Sequence, residues 1–165
     1  MITIRRATGS DAPLIRRLAE EAFPATYCEI LTPAQIDYMM EWMYGVESLR
    51  SQFREGHVYF IASCDDTPCG YVSVQRESEA LYHLQKIYVL PAFQGLGVGA
   101  ALFRRAVDHI RGEHPAPCRM EVNVNRHNRA LHFYERMGMR KLREGDFPIG
   151  NGYYMNDYIM GLDIR

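Results

Sequence analysis

The chain has 165 residues, 47% of them hydrophobic, with a formal net charge of −1 and a pI near 6.6. That length suits one domain spanning 1–165 with a substantial core, and the near-neutral balance supplies no basic field to attract nucleic acid. No apolar run approaches the roughly 18–20 residues of a membrane span, and the start MITIRRATGSD has no signal-peptide apolar region. The expectation is therefore a cytoplasmic protein that binds neither nucleic acid nor membrane. Cys28, Cys64, Cys69 and Cys118 form no CxxC and no His-spaced pattern, so they read as reduced thiols and no metal is expected.

MITIRRA alternates apolar and polar residues and predicts a first strand. GSDAPLIRRLAEEAF follows at helical spacing, with Ser10 or Asp11 as cap. LTPAQIDYMMEWM carries Thr32, Pro33 and Gln35 in the pattern of a capping box and predicts a second helix. VESLRSQFRE predicts a third, shorter one. The period then changes to two: HVYFIASC and CGYVSVQ form a hairpin about DDTP, with Cys64 and Cys69 facing each other across it. ALYHLQKIYV predicts a further strand. GVGAALFRRAVDHIRG is helical, CRMEVNVN a strand, and NRALHFYERMG a helix closed by Gly138. RKLREGDF and YYMNDYIMGLDI are two last strands joined by a PIGNG loop. This order predicts an α/β domain with a mixed sheet and helices on its faces.

Gly95, Gly97 and Gly99 stand where a helix should begin, although glycine costs about 1 kcal/mol there against alanine. The first N–H groups of a helix lack partners, and its end carries about half a positive charge. Glycines would let an anion such as a pyrophosphate reach them. Tight strand–helix packing is the alternative. No Gly-Lys-Ser/Thr and no GxGxxG is present, which excludes the two familiar nucleotide loops.

Gln94-Gly95-Leu96-Gly97-Val98-Gly99 fits Q/R-x-x-G-x-G/A between a strand and a helix, and NRALHFYERMGM, about thirty residues on, resembles an N…A…FYE…GF signature. On these motifs and the element order, the chain resembles the GNAT superfamily of acetyl-CoA-dependent N-acetyltransferases. The resemblance implies about seven strands in a mostly antiparallel sheet whose central parallel pair splays. It implies direct transfer of acetyl from acetyl-CoA to a primary amine, with no metal.

By the same resemblance, the backbone of Gln94, Gly95, Leu96, Gly97, Val98 and Gly99 would hold the CoA diphosphate, and Ile87, Tyr88 and Val89 would pair their main chain with pantetheine. Asn128 would steady the pantetheine arm, or cap the following helix. Tyr134 matches the family's general acid; a core aromatic is the alternative. A phenol with a pKa of about 10 can return a proton to a departing thiolate whose conjugate acid lies at about 8.5. Relatives often place a carboxylate or histidine eleven residues before Gln94 to take the amine proton, which points to His83, with Glu77, Glu79 and Glu121 as other candidates. Strict alternation puts His83, Gln85, Ile87 and Val89 on one face.

The acceptor pocket is expected from FPATYCEILTPAQIDYMMEWMYG and FPIGNGYYMNDY, which are rich in aromatics with carboxylates such as Glu41 and Asp157 nearby. Such a lining suits a cationic amine. A looser similarity to the polyamine-acetylating bacterial branch favours a small polyamine. A protein N-terminus or lysine, or a CoA-binding module without catalysis, are the other readings. The resemblance leaves a homodimer open through the edge of the last strands.

Overall fold

In the computed structural model, which describes residues 1–165, the chain runs β1 (Ile2–Arg6), α1 (Ala12–Tyr27), α2 (Pro33–Tyr44), α3 (Val46–Arg54), β2 (Val58–Cys64), β3 (Thr67–Ser78), β4 (Leu81–Val89), α4 (Val98–Glu113), β5 (Cys118–Asn125), α5 (Ala130–Arg136), β6 (Arg140–Gly150) and β7 (Tyr153–Ile164). The strands form one seven-stranded sheet in the order β1-β2-β3-β4-β5-β7-β6. Every neighbouring pair is antiparallel except β4 and β5. This is the mixed, mostly antiparallel α/β architecture expected.

Local chemistry moves several boundaries. α1 continues to Tyr27 through Pro24. Proline has no N–H to donate there, and the Thr26 hydroxyl donates to the Ala22 carbonyl at 2.9 Å in the same turn. Thr32 caps α2 by accepting from the Gln35 amide at 3.2 Å. The reciprocal arm of the box is not made: the Gln35 side chain donates to the Tyr154 carbonyl at 3.3 Å and ties α2 to β7.

The DDTP turn is shorter than expected, because only Asp65 and Asp66 take left-handed φ (48° and 68°) and Thr67 already pairs with Cys64. Cys64 and Cys69 are therefore not cross-strand partners, and all four cysteines are free. The PIGNG loop is mostly strand. β6 runs through Gly150, and the reversal is confined to Asn151 and Gly152 at φ 54° and 77°, the Asn-Gly pair that a two-residue hairpin demands.

The sheet separates two cores. Val98, Leu102, Phe103, Ala106 and Ile110 of α4 pack on Val72, Leu84, Met120 and Val122. On the other face, Ile15, Phe23, Tyr27, Met39, Tyr44 and Leu49 of α1 to α3 pack on Tyr59, Ile61 and Tyr71.

Two irregularities between β3 and β5 shape the middle of the molecule. Val74 pairs with Leu84 but Ser73 pairs with Lys86, so Gln85 is an extra residue, a β-bulge. The bulge resets the alternation. Tyr82 and Leu84 face the α4 core, and so do Ile87 and Val89, whereas Tyr88 packs in the core under α1. His83 thus lies on the face opposite Ile87 and Val89, which corrects the strict-alternation reading. The second irregularity is a splay: the parallel pairing holds only for Leu81–Leu84 against Arg119–Val122.

Candidate functional site

Beyond Leu84 the two parallel strands part, and the gap continues as a cleft of about 930 Å³. One wall is Gln85 to Val89. The other is Val122 to Val124 together with His127 to Ala130, Phe133 and Tyr134. Gln94, Gly95 and Gly97 to Ala100 close one end, and Tyr27 of α1 reaches in from the side.

The glycine loop forms the end of the cleft for identifiable reasons. Leu90 N–H donates to the Cys69 carbonyl at 2.8 Å, the last bond of the β3 ladder, and a single 3₁₀ turn at Pro91–Phe93 follows. Gly95 and Gly97 have φ of 81° and 87°, a region that side chains disfavour. A Cβ at either would meet nothing within 4 Å, so the backbone there is open to approach. Gly99 differs, because a Cβ would lie 3.3 Å from the Phe133 ring. The packing alternative accounts for that third glycine. The first hydrogen bond of α4 joins Ala101 N–H to the Gly97 carbonyl at 3.1 Å, and the N–H groups from Gly95 to Ala100 have no backbone acceptor. That is a row of donors at a helix N-terminus, the arrangement that holds a phosphate group.

Ile87, Tyr88 and Val89 pair along one edge with Val72, Tyr71 and Gly70. Their other edge is the one freed by the splay. The Gln94 side chain reaches back to donate to the Val89 carbonyl at 3.2 Å. Leu96 does not line the cleft; its side chain is 57% exposed at the loop tip. The rest of the loop and strand set expected from the sequence does line it, as do Asn128 and Tyr134.

Asn128 is occupied as a local cap, accepting from Ala130 N–H at 2.9 Å, and its amide donates to the Tyr27 hydroxyl at 3.4 Å. Tyr27 in turn lies 3.3 Å from the Tyr88 hydroxyl. Tyr134 is 6% exposed, with its ring against Phe133 at 5.4 Å. Burial pushes its hydroxyl well above the usual phenol range, so it stays protonated and able to donate.

His83 does not line the cleft. It stands two residues before the bulge residue Gln85, opposite Glu121 of β5, with Nδ1 3.4 Å from Glu77. Burial lowers its pKa, while Glu77 and Glu121 oppose the shift. Glu121 itself is paired with Arg143 at 2.8 Å. The two segments expected to build the acceptor side do meet: Tyr38 donates to the Ile149 carbonyl at 2.8 Å and packs against Trp42 and Tyr153.

Lys86 and Tyr27 also line the cleft and were not singled out from the sequence. Lys86 reaches its position only because of the bulge. Its Nζ donates to Tyr59 at 2.6 Å, Gln52 at 2.8 Å and the Met43 carbonyl at 3.2 Å, over the Tyr44 ring at 4.4 Å. Burial pushes it down to about 7, against which these oxygens and the ring hold the charge. Tyr27 arrives through the extension of α1 past Pro24, a position where the sequence signals a stop.

The model of the acetyltransferase (GNAT) domain matches residues 29–153, which includes the bulge, the glycine loop, the splay and Tyr134. The chain belongs to the GNAT acetyltransferase family. A curated relative, an uncharacterized N-acetyltransferase of Mycobacterium bovis, is 30% identical over 92 residues, 55% of this chain and 57% of that protein. The chain thus spans little more than half the length of that relative. Among solved structures, the paia N-acetyltransferase of Thermoplasma acidophilum in complex with coenzyme A superposes with a TM-score of 0.79 at 22% identity, covering 98% of each chain. The yncA acetyltransferase of Salmonella typhimurium with acetyl-CoA gives 0.69 at 19% identity, covering 100% of this chain and 95% of that one. At these identities the likeness is one of fold. In this GNAT chain no helix is long and apolar enough to cross a membrane.

Proposed function

We propose that the protein transfers the acetyl group of acetyl-CoA to a primary amine in a ternary complex, with a small polyamine-like amine as acceptor. The observation that carries this is the row of unpaired N–H groups from Gly95 to Ala100 at one end of a cleft whose other wall holds Tyr134. The family supports it, and so do solved fold neighbours that hold coenzyme A or acetyl-CoA.

The loop amides take the diphosphate, and the free edge of Ile87, Tyr88 and Val89 takes the pantetheine amides as an added strand would. Asn128 keeps its capping bond and offers its amide to the arm. The thioester supplies an activated acyl carbon. The amine nitrogen forms the new C–N bond as the C–S bond breaks, the sulfur takes the proton of the Tyr134 hydroxyl, and the proton that the nitrogen sheds in becoming an amide returns to that phenolate through water. The ammonium proton leaves beforehand. We assign its acceptor to His83, through water, since the imidazole stands outside the cleft wall. Positioning supplies much of the rate, as in any reaction between two bound partners.

A CoA-release assay over an amine panel tests the acceptor. Turnover of spermidine with little turnover of peptides is the expected result. Turnover of a peptide N-terminus without spermidine would defeat the polyamine assignment, and coenzyme binding without turnover of any acceptor would leave a binding module.

A further inference from the structure

Asp157 of β7 is 5% exposed, yet its Oδ1 has no hydrogen-bond partner. Its Oδ2 has one, the Asn123 side-chain amide at 3.3 Å, near the long end of the useful range. Asn123 is itself exposed and lines the cleft. From the α1 side, the Tyr27 hydroxyl lies close enough for the Asp157 charge to act on it, and Tyr27 also lines the cleft. Arg126 is the nearby cation and its charge favours the Asp157 carboxylate, but no hydrogen bond joins them: Nη2 goes to Asp146 at 3.3 Å and to the Gly145 carbonyl, and Nε has no hydrogen-bond partner. A carboxylate sealed in this way with an empty lone pair costs stability. No hydrogen bond within the fold uses Oδ1, and an asparagine would fill the same space without the charge.

We propose that Asp157 is the anchor for a second, non-reacting ammonium of the acceptor, reached when the exposed Asn123 side chain swings aside. The deduction rests on the acetyl-transfer reading and names the acceptor's chemical class, an alkylamine whose second ammonium has a free N–H to donate. An ammonium donor supplies the bond that Oδ1 lacks, and the charge-assisted pair is stronger than the amide contact it displaces. Burial already raises the Asp157 pKa, and a bound cation would bring it back down. Tyr27, with Tyr88 and Asn128 behind it, offers an aromatic and hydroxyl wall for the alkyl portion.

The test is Asp157→Asn, assayed with a cationic alkylamine (spermidine) and with a weakly basic arylamine that is uncharged at the assay pH. The proposal expects the KM for spermidine to rise about tenfold or more, in line with the loss of a hydrogen bond to a charged group. It expects the arylamine and acetyl-CoA KM values to stay within about twofold, and the Tm to be unchanged or higher. Equal losses for both amines, no loss for either, or a lowered Tm with a parallel fall in all activity would overturn it and mark Asp157 as structural. A wild-type protein that turns over a peptide but neither amine would overturn the Asp157 proposal together with the polyamine assignment, and one that turns over no acceptor at all would overturn the acetyl-transfer reading as well.

Discussion

In the proposed mechanism Tyr134 and His83 carry the two proton transfers, and they differ in how the fold holds them. Tyr134 is enclosed in the cleft wall and kept neutral by burial, so its contribution should appear in kcat alone. Tyr134→Phe is expected to lower kcat by about 10²-fold, the low end for a lost general acid, while acetyl-CoA affinity measured by calorimetry stays the same. An unaltered kcat would remove the residue from the chemistry. His83 should appear in the pH profile. Burial lowers its pKa below the ordinary imidazole value, so kcat/KM should rise with pH on an acidic limb that His83→Ala removes. A limb that survives in the variant would shift the assignment to a neighbouring carboxylate, with Glu121 opposite it and Glu77 at 3.4 Å as the groups to change next.

At the level of elements, the β4 bulge, the β4–β5 splay and the tip of α4 make the cleft. The glycine motif and the period change were legible in the sequence because each is a local signal: left-handed φ at Gly95 and Gly97, alternation in the strands, caps at the helix ends. The element order followed from the same signals, whereas Tyr134 was picked out only by the resemblance of its motif to the family's. The bulge at Gln85 was not legible. One extra residue in a ladder leaves no mark in composition, and strict alternation therefore put His83 on the wrong side and hid Lys86. Asp157 was visible only as a carboxylate near an aromatic stretch, since its missing partner is a property of packing. The loop itself offers a direct test. Gly97→Ala places a side chain at φ 87° with nothing within 4 Å to clash, so strain alone opposes it, at about 1–2 kcal/mol. A few degrees of Tm should be lost and the acetyl-CoA KM should rise, because the N–H groups that follow are re-aimed. Weakened coenzyme binding with no change in Tm would show that access and not φ decides this glycine.

Across the whole molecule, three partly buried histidines lie on different elements: His57 before β2, His83 in β4 and His109 in α4 against Phe60. His57 is held down to about 4 by burial, with Lys86 nearby, and burial also lowers His83 and His109. A histidine depressed in the folded state binds fewer protons than in the unfolded chain, so the stability it contributes is complete above its ordinary value of about 6.5 and is lost as pH falls through the folded value. The Tm should therefore decline between about pH 6.5 and 4, before most carboxylates titrate, and His57→Phe should flatten that decline; an unchanged slope would place the effect elsewhere.

The most direct measurement of the central claim is a calorimetric titration of the folded protein with acetyl-CoA. If the unpaired amides from Gly95 to Ala100 hold the diphosphate, binding is saturable in the micromolar range and weakens in Gly97→Ala. A protein with native circular dichroism that gives no heat at millimolar acetyl-CoA would contradict the account.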